Sequence, residues 1–394
     1  MTHRVAIVGA GPSGFYAADG LLRARPDLHI DIIDRLPTPY GLVRAGVAPD
    51  HQGTKAIVRQ FEKLLGQPDV RFAGNIEVGR DLSWDEFDAA YDAVIVATGM
   101  VIDRKLGIPG EDLPHVWGSW RFVAWLNGHP DFRDGPDLSG VRKVAVIGNG
   151  NVALDVARLL AKSADEMTKS DIVPEAGTAI AAAPLTDIYV IGRRGPEHAS
   201  FTNNELAEMG RLARAVSVTD AKGLEVAPPA SDPTPERLRK TKNLEILKGF
   251  AGHVAGEKPV TVHFLFGATP KAIHPGQIEL STGTLEADLV VTCIGYSGED
   301  FPRGDDVFPV GWARRGPSGT IPTNRAESHA VAQEVLAFLK DRDPKSGPDV
   351  LPIAVDAAGW HRIDKHEVAA GAALGRPRVK LTAWQALLDV AQGG

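Results

Sequence analysis

One cysteine in 394 residues, Cys293, settles several questions at once. A lone thiol leaves no CxxC redox pair, no cysteine-ligated iron–sulfur cluster and no disulfide framework. Set in an apolar run, Leu289 to Ile294, it reads as a small buried hydrophobe. No apolar stretch approaches the roughly 20 residues that a bilayer span requires, so no membrane association is expected. The first strand-like run opens at the fourth residue with no signal or transit segment ahead of it, and the expected location is a reducing cytoplasm. No basic tract offsets a net charge of −7, which argues against a nucleic-acid partner. Histidine, cysteine and aspartate nowhere fall at metal-ligand spacing, and no metal is expected. What remains is ordinary soluble composition, 43% hydrophobic and 24% charged, in a chain long enough for two domains.

Glycine is abundant, and two clusters of it organise the chain. Arg4 to Val8 is a short apolar run, followed at once by Gly9-Ala10-Gly11-Pro12-Ser13-Gly14 and then by a helical pattern through Leu22. In a strand–turn–helix of this kind the first glycine permits the tight turn and the second lets backbone approach a pyrophosphate. The third lets the helix pack close on the strand, with its N-terminal amides facing the anion. Asp34 closes Ile30 to Ile33 twenty residues after Gly14, where a carboxylate accepts the hydroxyls of an adenosine ribose. The pattern recurs at Lys143 to Ile147 followed by Gly148-Asn149-Gly150-Asn151-Val152-Ala153, with alanine in the third small position. Val94 to Gly99 and Leu289 to Gly295 supply each copy with a later partner strand. Two dinucleotide sites in series suggest one bound flavin and one diffusible pyridine nucleotide.

The second copy also carries a specificity signal. Where an NAD site would end the strand Asp187 to Ile191 with an acid, this chain has Gly192-Arg193-Arg194-Gly195. Two guanidiniums there suit a 2′-phosphate, so NADP is the expected nucleotide. Further on, Thr202 and Glu205 have the spacing of a capping box.

Other stretches have weaker readings. The Pro- and Gly-rich segment from Arg35 to His51 carries many apolar side chains, as a loop lying against a cofactor does. A helix is expected from Thr54 to Leu65, short strands at 70–72 and 76–78, and a Trp-rich crossover from Met100 to Ser139. A surface loop is expected before Pro184. Arg237, Arg239, Lys240 and Lys242 form a basic patch suited to steering an acidic partner. Gly311 to Asn324 leads into a helix from Ala326 to Leu339, whose first amides suit a flavin carbonyl. From the residues alone His51 is an ordinary loop histidine, and the chain end is a helical appendage with surface histidines and arginines.

Taken together, Val8 to Tyr16, Tyr40 to Arg44, Gly46 to His51, Gly148 to Arg158, Gly192 to Pro196 and Gly311 to Asn324 resemble the adrenodoxin reductase-like ferredoxin–NADP reductases over nearly the whole chain. The resemblance implies an α/β fold of two Rossmann-like dinucleotide-binding domains. The FAD domain, 1–104 and 307–394, is built from both chain ends, and the NADP domain, 105–306, is inserted in it. It implies FAD contacts at Gly9, Gly11, Ser13, Gly14, Asp34, Leu42, Val78, Trp312, Gly319, Thr320 and Ile321. NADP contacts fall on Gly148, Asn149, Gly150, Asn151, Val152, Arg193, Arg194, Glu205 and Gly319. His51 and Asp155 match a polar pair placed near flavin and nicotinamide, for orientation or proton handling. The implied reaction passes electrons from NADPH through FAD, one at a time, to a ferredoxin-type iron–sulfur protein met transiently and electrostatically. An electron-input subunit of a larger complex and a flavin monooxygenase remain as alternatives on the same scaffold. The chain departs from the family in having Asp34 for glutamate and Asn149 for glutamine. It is also shorter around Pro270 to Glu286 and Glu299 to Val310, which removes β-rich decoration.

Overall fold

The computed structural model describes residues 2–319, 321–345, 347–352 and 354–393. The two apolar runs that precede the glycine clusters each become the centre of a parallel sheet. In the first, the order is Val307–Pro309, Ala93–Val96, Arg4–Val8, His29–Asp34 and Val70–Gly74. The second runs Val116–Gly118, Leu289–Thr292, Lys143–Ile147, Asp187–Ile191, Val260–Leu265 and Ala215–Thr219, again parallel throughout. In both, the strand before the glycine turn is flanked on one side by the next strand in sequence and on the other by a much later one. That is a topological switch point, whose crevice opens at the carboxyl ends of the strands. Strands buried on both faces need continuous apolar runs, and Val5, Ala6, Ile7 and Val144, Ala145, Val146 are fully buried.

Helix Pro12–Ala24 covers one face of the first sheet and is itself covered by helix Ile321–Leu339. The two approach so closely at Gly20 that a Cβ there would meet the Ala332 Cβ at 2.9 Å. Phe15 stacks on Phe61 of helix Val58–Leu65 at 4.7 Å between ring centroids. Phe87, Tyr91 and Leu82 close the opposite face. In the second sheet one face is covered by a small antiparallel sheet, Pro270–His274, Gln277–Leu280 and Gly283–Glu286. Its Ile273, Ile278 and Leu280 pack with Ala145, Ile147, Ile191 and Val290. The shortened stretch thus keeps a β-rich cover of its own.

The chain divides into two compact units, one of Met1–Ile102, Asn127–Arg133 and Tyr296–Gly394, the other of Asp103–Leu126 and Asp134–Gly295. The boundaries differ from 104 and 307 for physical reasons. Asn127 accepts from Lys55 at 2.7 Å and Lys380 at 2.9 Å, and Asp131 accepts from Arg35 and Trp384, so this short segment belongs with the first unit. The return comes early because Tyr296 stacks on Trp312 and the Asp306 carbonyl accepts the Val94 amide.

Several local expectations are corrected. The helix expected from Thr54 is two pieces, Gln52–Lys55 and Val58–Leu65, and 76–78 is not a strand, with Val78 only bridging Leu82. The Met100 to Ser139 crossover contributes the edge strand Val116–Gly118 and helix Ser119–Leu126. A helix, Pro174–Ala182, stands where a surface loop was expected. The basic patch lies on helix Thr234–Phe250 and is partly paired locally: Lys240 pairs with Asp232 and Glu236, Arg239 with Glu236 and Lys242 with Glu245, while Arg237 donates to the Ala230 carbonyl.

Within the first sheet one charge is fully enclosed. Asp31 accepts from Arg71 at 2.7 and 2.9 Å and from the Tyr91 hydroxyl at 2.6 Å, with His29 at 3.3 Å. Burial alone would push its carboxyl up, but the bonds from His29, Arg71 and Tyr91 outweigh this and hold it well below the usual carboxylate range. Because the folded value is depressed, the stability it confers is complete above the unfolded value near 3.8 and is lost as pH falls toward the folded one. Asp31→Asn is therefore expected to cost about 1–3 kcal/mol at pH 7 and to flatten the acid limb of the stability curve, read by denaturant unfolding between pH 2 and 6. An acid limb identical to wild type would contradict this account.

Candidate functional site

At the first glycine turn the backbone is packed beyond what any side chain permits. A Cβ on Gly9, whose φ is +110°, would lie 2.4 Å from the Ala97 carbonyl oxygen, and one on Gly14 would lie 2.3 Å from that of Gly9. Gly11 differs, for a Cβ there meets nothing within 4 Å. The packing of the protein does not require that glycine, and the open space fits a ligand approaching the backbone. The helix starts with Pro12, which lacks an N–H to leave unpaired, and the Phe15 amide makes its first bond, to Gly11. The Ser13 and Gly14 amides precede that bond and head the helix where a pyrophosphate would sit. The Ser13 hydroxyl lies against Gly311, where a Cβ would meet Oγ at 2.1 Å.

Asp34 ends the neighbouring strand with its carboxylate held by the Ala10 amide at 2.8 Å and the Leu36 amide at 2.9 Å. Burial pushes its carboxyl up against the pull of these donors. A carboxylate has about four acceptor positions, so two remain for ribose hydroxyls. The segment after it does line this turn. The Tyr40 amide donates to the Ala10 carbonyl at 2.7 Å, and a Cβ on Gly41 would come within 3.0 Å of the Gly11 Cα. Leu42 opens the short helix Leu42–Ala45 beside it. Tyr40 itself holds φ +84°, a conformation that costs an aromatic residue of order 1–3 kcal/mol. Its hydroxyl is fixed by Glu62, which also accepts from the Trp360 indole at 2.9 Å and meets the His361 ring at 2.9 Å.

Trp312 stands at the head of helix Trp312–Arg315, stacked on Tyr296 and donating its indole N–H to the Ser318 carbonyl at 3.1 Å. Gly319 is exposed with φ +83°, and Ile321 begins helix Ile321–Leu339. Thr320 lies outside the described residues. Val78 is half-buried against the core that holds Val94 and Val96.

The second turn repeats the geometry. A Cβ on Gly148 would lie 2.3 Å from the Cys293 carbonyl oxygen, while at Gly150 the nearest atom is the Ser200 Oγ at 3.1 Å. Asn151 and Val152 head helix Asn151–Ala161, whose first bonds are made by Ala153 and Leu154 to Gly150. The Asn151 side chain is committed to Thr202, accepting its amide at 2.8 Å. Among the described residues the buried Asn149 Oδ1 has no hydrogen-bond partner, an orphan acceptor at the centre of the turn. Arg193 and Arg194 follow strand Asp187–Ile191 directly, are exposed, and have no side-chain partner among the described residues. These features fit a bound dinucleotide 2′-phosphate.

Glu205 corrects the capping-box expectation. Thr202 is the N-cap of helix Asn203–Met209, but its side chain makes no cap bond, and Glu205 instead accepts from the buried Arg158 at 2.9 Å. Asp155 holds the same guanidinium at 2.7 Å. His51 caps helix Gln52–Lys55 in the first unit, its carbonyl accepting from the Thr54 and Lys55 amides. Asp155 lies in the second unit.

Sequence reading missed Glu367. It is fully buried, accepts both Arg44 amino groups (2.8 Å from one), the Leu381 amide at 2.9 Å and Arg378 at 3.2 Å. Burial would raise its carboxyl, and Arg44 followed by Arg378 holds it below its ordinary value. The appendage is thus tied to the loop that lines the first glycine turn and is no loose surface element. One signal existed: Trp360, Ile363, Glu367 and Gly371 recur at helical spacing on the buried face, with an acid among apolar neighbours.

Comparison with known proteins agrees with this geometry. The family model described as pyridine nucleotide-disulphide oxidoreductase matches residues 3–188. The NADPH-ferredoxin reductase FprA of Mycobacterium leprae is 36% identical, with 99% of each chain covered. The mitochondrial NADPH:adrenodoxin oxidoreductase of Arabidopsis thaliana is 32% identical over 98% of this chain and 95% of the relative. Among solved structures, Mycobacterium tuberculosis FprA in complex with NADPH superposes with a TM-score of 0.93 at 35% identity, covering both chains fully.

The two kinds of glycine make a sharp prediction. Gly11→Ala should leave the stability of the FAD-free protein within about 1 kcal/mol of wild type yet strip retained flavin, whereas Gly9→Ala should lose both. Thermal melts of the flavin-free protein and the flavin-to-protein absorbance ratio separate the two outcomes.

Proposed function

The chain belongs to the ferredoxin–NADP reductase family, and from that membership we propose the assignment of its two turns: FAD on the first and NADPH on the second. It is an FAD-dependent NADPH oxidoreductase whose electrons go to a ferredoxin-type iron–sulfur protein. The observation that carries the assignment is the pair of glycine turns with opposite partners, an acid after the first and two unpaired arginines after the second.

In this reading the Ser13 and Gly14 amides and the helix behind them hold the FAD pyrophosphate, and Asp34 accepts the ribose hydroxyls. Leu42, Val78, Trp312, Gly319 and Ile321 enclose the rest of the flavin. Asn149 to Val152 hold the NADPH pyrophosphate, and Arg193 with Arg194 clamps the 2′-phosphate. His51 and Asp155 serve to orient groups or handle protons at the reacting end. When bound, FAD takes hydride from NADPH and releases electrons singly; the protein supplies position and electrostatics. Meeting the iron–sulfur partner is transient and electrostatic, and the setting is cytoplasmic. With one cysteine, the chain has no disulfide step of the kind named in the matching family model.

Anaerobic addition of NADPH and NADH in separate titrations, followed at the flavin absorption band, tests the assignment directly. Bleaching is expected at far lower NADPH than NADH. Arg193→Ala with Arg194→Ala should raise the apparent KM for NADPH by roughly tenfold or more and leave NADH within about twofold, since charge-assisted bonds of about 1.5–3 kcal/mol are lost only with the phosphate. Equal losses with both nucleotides would remove the arginines from the 2′-phosphate site.

A further inference from the structure

Arg158 is fully enclosed in the second unit, with no exposed side-chain surface, yet carries a full charge on helix Asn151–Ala161. An arginine is kept in such a place only by acceptors that replace its lost hydration. Three carboxylates do so: Asp155 at 2.7 Å, Glu205 at 2.9 Å and Glu208 at 3.7 Å. Lys162 adds a second cation through Glu208 at 2.8 Å.

The acids do not come from one element. Asp155 lies on the helix that the second glycine turn begins, and Glu205 on helix Asn203–Met209, which the loop after Arg193 and Arg194 leads into. Oxygens of Asp155 and Glu205 fall within 4.8 Å of each other, a distance at which two carboxylates repel unless a cation bridges them. The planar guanidinium is the bridge. Its rigid fork sets both positions at once, which a lysine ammonium would not do. Glu205 is not drawn into a capping box, since the Thr202 side chain makes no cap bond.

We propose that Arg158 is a positioning residue for the nicotinamide half of NADP(H), acting through Asp155 and Glu205. This rests on the assignment of the second turn to NADPH. The nicotinamide ring becomes a cation when it gives up hydride, so carboxylates locked in place beside it favour the oxidised ring more than the reduced one. Arg158 makes that field fixed in position and spares it reorganisation.

The test is calorimetric binding of NADP+ and of adenosine 2′,5′-bisphosphate, which has the 2′-phosphate but no nicotinamide, to the flavin-loaded protein. Arg158→Gln is expected to weaken NADP+ by roughly tenfold while the bisphosphate stays within about twofold, because Arg193 and Arg194 are untouched. In an Glu205→Gln background the same change should add less than about twofold, since its route is already cut. Arg158→Lys, which keeps the charge and loses the fork, should fall between wild type and Arg158→Gln and serves if the glutamine variant fails to fold. Equal weakening of both ligands, unchanged NADP+ affinity, or losses that multiply in the double variant would each overturn the proposal. If Arg193→Ala with Arg194→Ala leaves bisphosphate binding intact, it is the NADPH assignment that fails instead.

Discussion

Contact of backbone with backbone, at distances no side chain would allow, is the constraint on which this protein depends. It occurs at the end of Arg4–Val8, where Gly9 meets the Ala97 carbonyl, and again at the end of Lys143–Ile147, where Gly148 meets that of Cys293. Each contact brings two strands of a parallel sheet together at the point where the topology switches sides, and each aims a helix N-terminus into the crevice that results. Had either glycine been alanine, the strand, the helix and the next strand could not all keep their places. The nucleotide sites follow from this packing, because the amides that would bind phosphate are those left over when the helix begins.

Around that shared frame the two units diverge in how they hold their polar groups. The first encloses its charges with partners from distant parts of the chain: Asp31 with Arg71, Arg44 with Glu367, and Asn127 with Lys55 and Lys380. Breaking the most enclosed of them, Arg44 with Glu367, costs about 3–5 kcal/mol, since the remaining charge is left without solvent. That cost keeps the loop from Tyr40 to His51 against the glycine turn, where the strained Tyr40 backbone would otherwise relax. The second unit leaves two arginines solvated at its strand end and shuts a third, Arg158, inside. Exposed guanidiniums remain available to an incoming phosphate, and the enclosed one is available only to its acids.

The Arg158 cluster also shows why spacing misleads at Glu205. Thr202 and Glu205 stand three apart at a helix start, the pattern of two side chains serving each other's backbone. A buried guanidinium on a neighbouring helix is a stronger partner for a carboxylate than one backbone amide, so the tertiary contact overrides the local one. The basic patch from Arg237 to Lys242 shows the opposite case, pairing that is local. Its acids, Asp232, Glu236 and Glu245, lie within a few residues of it, and helical spacing brings opposite charges together.

Sequence alone determined the two strand–glycine–helix units, the acid after one and the arginines after the other, because each is written within a few dozen consecutive residues and set by backbone sterics. It also excluded disulfide chemistry, since a lone Cys293 has no partner anywhere in the chain. Only the tertiary structure decided the strand order, the split of the Thr54 to Leu65 helix, and the attachment of Asn127–Arg133 to the first unit. The same holds for the burial of Glu367 against Arg44, 323 residues apart, and for the pairing of Arg158 with Glu205. Those outcomes depend on which distant side chains satisfy a buried charge, and a charge enclosed by folding leaves no local pattern from which its partner can be read.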